Sequence, residues 1–196
     1  MKNSLENKKY ILNKILNITN KELDSYDMET DKQLYKLTEN WYELESGKEH
    51  YRLLKYISTI VENCNLIDVG TYRGHSAVAL SFNELNTVYS YDVLETPEIK
   101  NINKKNIIFK LQDITQDTQN IEIMNNSSFI ILDVNHDGQF ENYFYDFLKF
   151  IDWKGLLLLD DIHLNNEMEC FWNKIKEEKY EITKIGHFTG TGLVVL

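Results

Sequence analysis

Asp68-Val69-Gly70-Thr71-Tyr72-Arg73-Gly74-His75-Ser76 is the stretch on which the fold turns. It closes the short apolar run Asn65-Leu66-Ile67-Asp68-Val69, bends at Gly70 and leads into a helical pattern from Ser76 to Leu85, so it reads as strand, glycine turn and helix start. A turn of this kind cradles a nucleotide-like ligand. Gly70 lets the backbone approach the ligand closely, and Gly74 lets the following helix pack tightly. A dinucleotide site asks for G-x-G-x-x-G, but Tyr72 occupies the second glycine position and leaves less room for a pyrophosphate. Asp92 ends the next apolar run, Val88-Tyr89-Ser90-Tyr91-Asp92, 22 positions after Gly70. That is the distance at which an acid accepts the ribose hydroxyls of a bound nucleotide.

Working outward, three more strand-sized runs follow: Ile107-Ile108-Phe109-Lys110-Leu111, Ser128 to Asp133 and Gly155 to Asp160. Helical patterns separate them, at Ile114 to Met124 and Glu141 to Phe150, and another follows at Glu167 to Glu178. Apolar strands alternating with helices predict a parallel sheet covered on both faces. The tail adds strands at Glu181 to Ile185 and Gly192 to Leu196, joined by a short glycine-containing link and expected to pair as an antiparallel hairpin. The expected fold is therefore α/β: a Rossmann-like, seven-stranded, mostly parallel sheet with helices on both faces and a C-terminal hairpin. Upstream, Leu5, Ile11, Leu12, Ile15 and Leu16 recur at helical spacing. A second helix is expected from Asp31 to Leu44 and a third from Glu49 to Glu62, with a break at Ser46-Gly47 between them. The chain thus divides into a helical N-terminal extension, residues 1–46, and a ligand-binding domain, residues 47–196.

Composition narrows the function. The 196 residues suffice for one substantial core, and a hydrophobic share of 42% excludes a disordered chain. No apolar run reaches the roughly 20 residues that span a bilayer, and the polar start Met1-Lys2-Asn3-Ser4 lacks the apolar core of a signal peptide. The expected location is cytoplasmic, away from membranes. A net charge of −10 without a dense basic run disfavours a nucleic-acid substrate. Cys64 and Cys170 have no metal-ligand spacing and read as free thiols. The expected partner is a small-molecule substrate, with self-association as a homodimer left open.

Three strands end in an acid, Asp92, Asp133 and Asp160, and Asp68 lies inside the first. In open α/β sheets the ligand sits beyond the carboxyl ends of the strands, so these carboxylates share one rim. The run from Asp68 to Leu80, DVGTYRGHSAVAL, resembles the first motif of the catechol O-methyltransferase-like group of class I S-adenosylmethionine-dependent methyltransferases, including small-molecule and sugar O-methyltransferases. The resemblance extends from about Gly47 to the C-terminus. It implies S-adenosylmethionine as cofactor, held by Asp68, Gly70, Tyr72, Gly74 and Ser76 of the turn, by Asp92 and by Asp133. Glu49 and Tyr51 match a segment that folds over the methionine end of the cofactor. Gln112 and Asp113 match the position that meets the adenine. Solvated surface is the competing reading for these last four.

The resemblance also implies a metal. In the metal-dependent members, an acid ending strand four and an acidic pair ending strand five bind magnesium or a similar ion, and the matching residues are Asp133, Asp160 and Asp161. Hard ions such as Mg, Mn or Ca take oxygen ligands, and clustered carboxylates repel each other without one. A metal-bound hydroxyl also loses its proton more easily. The competing reading has Asp133 touching only the cofactor, while Asp160 and Asp161 cap a loop. His136, three residues past Asp133, matches a general base, and a histidine titrating near neutrality suits proton removal. Related sequences read D-G-D-H where this chain has Asp133-Val134-Asn135-His136. His163 is a second base candidate or a satisfied loop residue; His75 belongs to the first helical turn near the cofactor; His187 has no assigned role. Phe171-Trp172 reads as helix core. The expectation is thus metal-assisted O-methylation of a small hydroxylated molecule or sugar, with Asp133 and His136 as catalytic residues. The alternatives are a metal-independent methyltransferase with a histidine base, a non-catalytic adenosylmethionine-binding protein and, weakened by Tyr72, an NAD-dependent oxidoreductase.

Overall fold

The computed structural model describes residues 4–37 and 45–196, with side chains for 8–37 and 50–196. The side chains of Leu5 and Glu49, and residues 38–44, lie outside the described residues; the helix expected from Asp31 to Leu44 ends at Tyr35, where Lys36 turns left-handed at φ 54°. The parallel sheet forms from the apolar runs: β1 (Asn65–Val69), β2 (Thr87–Asp92), β3 (Ile107–Leu111), β4 (Ser127–Leu132) and β5 (Leu156–Leu159). β6 (Lys179–Glu181) and β7 (Gly192–Val195) complete seven strands in the order β3-β2-β1-β4-β5-β7-β6. β7 runs antiparallel to both its neighbours, as the hairpin reading requires. Because β2 and β3 extend to one side of β1 while β4 lies on the other, strand order reverses between β1 and β4. Such a reversal opens a crevice at the carboxyl ends of the strands.

Alternate residues of each central strand enter two apolar cores, one per face. Leu66, Phe129, Leu156 and Leu158 join one, Ile67, Ile130, Leu157 and Leu159 the other. The helices α5 (His75–Leu80), α6 (Thr118–Asn125), α7 (Gln139–Phe150) and α8 (Asn166–Lys174) accompany the strands. Phe171 and Trp172 are buried in the second core, as their helical spacing suggests. The N-terminal helices α1 (Ser4–Asn17), α2 (Asn20–Leu23) and α3 (Glu29–Tyr35) add Ile11, Ile15, Leu23 and Tyr35 to the first core.

Several boundaries differ from the sequence reading, among them the ends of α5 at Leu80 and α8 at Lys174, short of the expected Leu85 and Glu178. Helix α4 is Glu45–Thr59, so Ser46-Gly47 belong to its first turn instead of breaking the chain; N–H groups there have no partner four residues back, and weak helix formers are tolerated. The strand expected at 181–185 ends at Glu181, and Thr183–Ile185 form a 3-10 turn. The chain leaves the sheet at Ile182, whose N–H still reaches the Thr191 carbonyl at 2.8 Å while its side chain turns into the core. The helix expected from Ile114 starts at Thr118, because the Asp117 side chain caps the Gln119 N–H at 2.9 Å.

Candidate active site

The crevice between β1 and β4 opens into a cavity of about 570 Å³ lined by residues from all the strand ends that the sequence pointed to. Gly70, at φ 106°, turns the chain out of β1, and an added Cβ would lie 1.6 Å from the Asp133 carbonyl oxygen. Glycine is thus demanded by the protein's own backbone, where the ends of β1 and β4 touch, and not only by a ligand. Gly74 faces the Ile102 side chain and does not line the cavity. Tyr72, at φ 42°, donates its backbone N–H to Asp92 Oδ2 at 2.8 Å, and Leu94 donates to Oδ1 at 2.9 Å. Two main-chain donors therefore aim the Asp92 carboxylate along the cavity wall.

Gln112 and Asp113 line the same end of the cavity; Asp113 also caps the turn Ile114–Gln116 through Thr115. Ser76, Tyr51 and His75 line it from the helical side. Burial, with help from Arg73, pushes the His75 imidazole down to about 4, so it stays neutral. Asp68 departs from the expected cofactor contact. It is fully buried beneath the cavity floor, accepts a hydrogen bond from Ser90 Oγ at 2.6 Å and does not reach the wall. Burial raises its carboxyl to about 7, although the Ser90 and Ser76 hydroxyls offset part of that rise.

Opposite Asp92, Asp133, Asp160 and Asp161 converge as expected, but not as bare carboxylates. His50 of α4 places Nδ1 3.2 Å from Asp160 Oδ1, and His187 places Nδ1 3.3 Å from the same oxygen and 2.8 Å from Asp161 Oδ1. His136 Nε2 stands 3.4 Å from Asp133 and 3.7 Å from Asp161. Burial opposes charge at each imidazole, but the carboxylates overcome it: His136 rises to about 9, His187 to about 10, and His50 moves in the same direction. Burial also opposes charge on Asp160, yet His50 and His187 hold its carboxyl well below the usual range. Asp133 moves the other way, raised by burial and by Asp160. A base titrating near neutrality is therefore not what His136 is in this arrangement: the three acids keep its imidazole cationic at neutral pH.

The chain holds these groups under local strain. Tyr72, His136 and Asp161 all adopt positive φ, the last two at 56° and 57°, a conformation costing a non-glycine residue of order 1–3 kcal/mol. At His136 two side chains clamp the backbone: buried Glu141 accepts its N–H at 2.8 Å, and Asn165 donates to its carbonyl at 2.8 Å. Asn165 also caps α8 through the Met168 N–H at 2.9 Å. His163 faces away, 3.3 Å from Glu181, and does not line the cavity. The sequence reading missed His50 and His187. His50 shares a helix face with Leu54 and Ile57, both fully buried, and a histidine on an apolar face is a detectable signal. His187 sits in the link Gly186-His187-Phe188-Thr189-Gly190, which reads as an ordinary turn.

No protein-family model and no curated protein matches the sequence. Solved structures are similar in fold. The S-adenosylhomocysteine-bound Podospora anserina methyltransferase PaMTH1 aligns with a TM-score of 0.58 at 10% identity, covering 84% of this chain and 86% of that one. A Staphylococcus aureus protein assigned as a caffeoyl-CoA O-methyltransferase gives 0.57 at 11% identity over 96% and 98%. An O-methyltransferase from Bacillus cereus in complex with S-adenosylhomocysteine gives 0.54 at 12% identity over 89% and 99%. The fold is therefore the Rossmann-like α/β fold that these methyltransferase structures have.

Proposed function

We propose that this protein is an S-adenosylmethionine-dependent O-methyltransferase acting on a small hydroxylated molecule or sugar with the help of a divalent ion. The observation that carries the reading is one cavity, at the point where strand order reverses, bounded by a ribose-type acid at one end and three clustered acids at the other. The cavity residues are of the kinds the cofactor asks for: Asp92, held by two N–H groups, offers an acceptor for ribose hydroxyls, Gln112 and Asp113 offer polar groups for an adenine edge, and Tyr51 offers an aromatic ring. S-adenosylmethionine, when bound, supplies an electrophilic methyl group on a sulfonium. The two triads His50, Asp133, Asp160 and His136, Asp160, Asp161 each offer ligand atoms within 4.8 Å of one another, which fits a divalent ion. Such an ion, when bound, acidifies an acceptor hydroxyl.

The chain's own residues do the rest. The cavity walls align acceptor and donor and exclude water, which is where most of the rate of a displacement reaction comes from. Asp133 faces the acceptor side of the cavity, and His136, cationic beside the bare acids, would accept the hydroxyl proton where a divalent ion held by those acids offsets their charge. Transfer of labelled methyl from S-adenosylmethionine to a panel of sugars, catechols and small hydroxy compounds tests the reading. EDTA is expected to stop turnover with any accepted compound, and an added divalent ion to restore it. Full activity in EDTA would promote the second reading, a metal-independent enzyme, which one observation favours: His50, His136 and His187 already supply positive charge to the three carboxylates.

A further inference from the structure

Imidazoles and carboxylates alternate along one wall of the cavity in the order His50, Asp160, His187, Asp161, His136, Asp133, with successive contacts of 3.2, 3.3, 2.8, 3.7 and 3.4 Å. A site for a hard ion such as magnesium is made of oxygen ligands and retained water. This wall is half nitrogen. One imidazole comes from outside the strand ends altogether: His50 belongs to α4, which precedes the sheet. It is 4% exposed, and its Nε2 has no hydrogen-bond partner among the described residues.

Ligand atoms around a metal with bonds near 2.1 Å lie about 3–4 Å apart. The nitrogen of His50 and oxygens of Asp133 and Asp160 already lie within 4.8 Å of one another, so small side-chain movements close them on one ion. Ligation through Nδ1, the nitrogen 3.2 Å from Asp160, would replace that contact with a bond to the ion. His187 and Thr189, both bonded to Asp161 Oδ1, stand behind the carboxylates and fix their orientation, the usual position of groups that aim metal ligands. Mixed imidazole and carboxylate sets suit first-row transition metals, whereas oxygen-only sets suit magnesium and calcium.

We infer that His50 is a metal ligand delivered by α4, and that the ion at this site is an imidazole-binding divalent ion of the manganese, iron, cobalt or zinc class instead of magnesium or calcium. The inference rests on the metal-assisted reading above and changes the expected ion. It also couples metal binding to the seating of α4 on the sheet.

Pulsed electron paramagnetic resonance of the protein loaded with Mn²⁺ alone tests this, with calorimetry of Mn²⁺ and Mg²⁺ binding alongside. The expected result is ¹⁴N modulation from a directly bound imidazole. In His50→Ala that modulation should diminish and Mn²⁺ affinity should fall at least tenfold, with His50→Gln as a second variant of closer size and a cooperative thermal melt required of both. The inference is overturned by Mn²⁺ bound without nitrogen modulation, or by an undiminished signal and affinity in both variants. It is overturned together with metal assistance if neither ion binds. Adenosylhomocysteine binding, measured separately in EDTA, shows whether the methyltransferase reading survives that outcome.

Discussion

Asp92 holds two backbone donors, from Tyr72 and Leu94, before any ligand arrives. Its remaining acceptor capacity points along the cavity, so Asp92→Ala should weaken S-adenosylmethionine binding by about 1–3 kcal/mol, the worth of hydrogen bonds to a charged acceptor. Titration calorimetry reads this directly; unchanged affinity in a folded variant would remove Asp92 from the ribose site. Asp68 behaves differently. Its folded carboxyl is raised to about 7, against about 3.9 in an unfolded chain. The native state therefore binds the extra proton across that window, and stability falls as pH rises through it, by up to about 1.4 kcal/mol per unit. Asp68→Asn should flatten the decline, as denaturant melts at pH 5 and pH 8 would show; an identical decline in the variant would assign it to other groups. Placement at the cavity was legible where a residue ends a strand, as with Asp92, Asp133 and Asp160. It was misread at Asp68, one residue inside a strand, because side chains alternate faces and this one points into the protein.

Among the elements, α4 carries the most that was not foreseen. It brings His50 and Tyr51 to the cavity, and it is tied to the N-terminal helices by charge. Lys55 Nζ donates to Asp31 at 2.8 Å with both side chains nearly buried, and Arg52 pairs with Asp24. Removing one partner of a buried pair leaves the other uncompensated. Lys55→Met is expected to lower stability by about 3 kcal/mol, and adding Asp31→Leu should recover much of the loss; denaturant midpoints of the two variants check this, and a single variant as stable as the parent would show the pair to be idle. The strands β1, β4 and β5 were readable because buried parallel strands are largely apolar, and the more exposed edge strand β3 still shows as an apolar run around Lys110. Helix ends and β6 were not, since they depend on caps such as Asp117 and on where Ile182 finds the core. The link carrying His187 stayed silent for the same reason: its role comes from folding back onto β5, which no local pattern encodes.

At the scale of the whole molecule, the reversal of strand order between β1 and β4 sets where a ligand can go, and the residues at that crevice set which ligand. Tyr72 takes the place of the glycine that a pyrophosphate needs, and the left-handed turn that it adopts hands its N–H to Asp92. Among the described residues no helix is long and apolar enough to cross a membrane. The fold was legible from the alternation of runs, and the shared rim of acids from their places at strand ends. The histidines that interleave the acids come from three separate elements, and His50 meets Asp160 across 110 residues of sequence, which only the folded chain brings together. The central claim, that this cavity is built for S-adenosylmethionine, is tested most directly by calorimetry of the purified protein with adenosylmethionine, adenosylhomocysteine and NAD. The account predicts saturable one-site binding of the first two and none of NAD; binding of NAD without adenosylhomocysteine would contradict it.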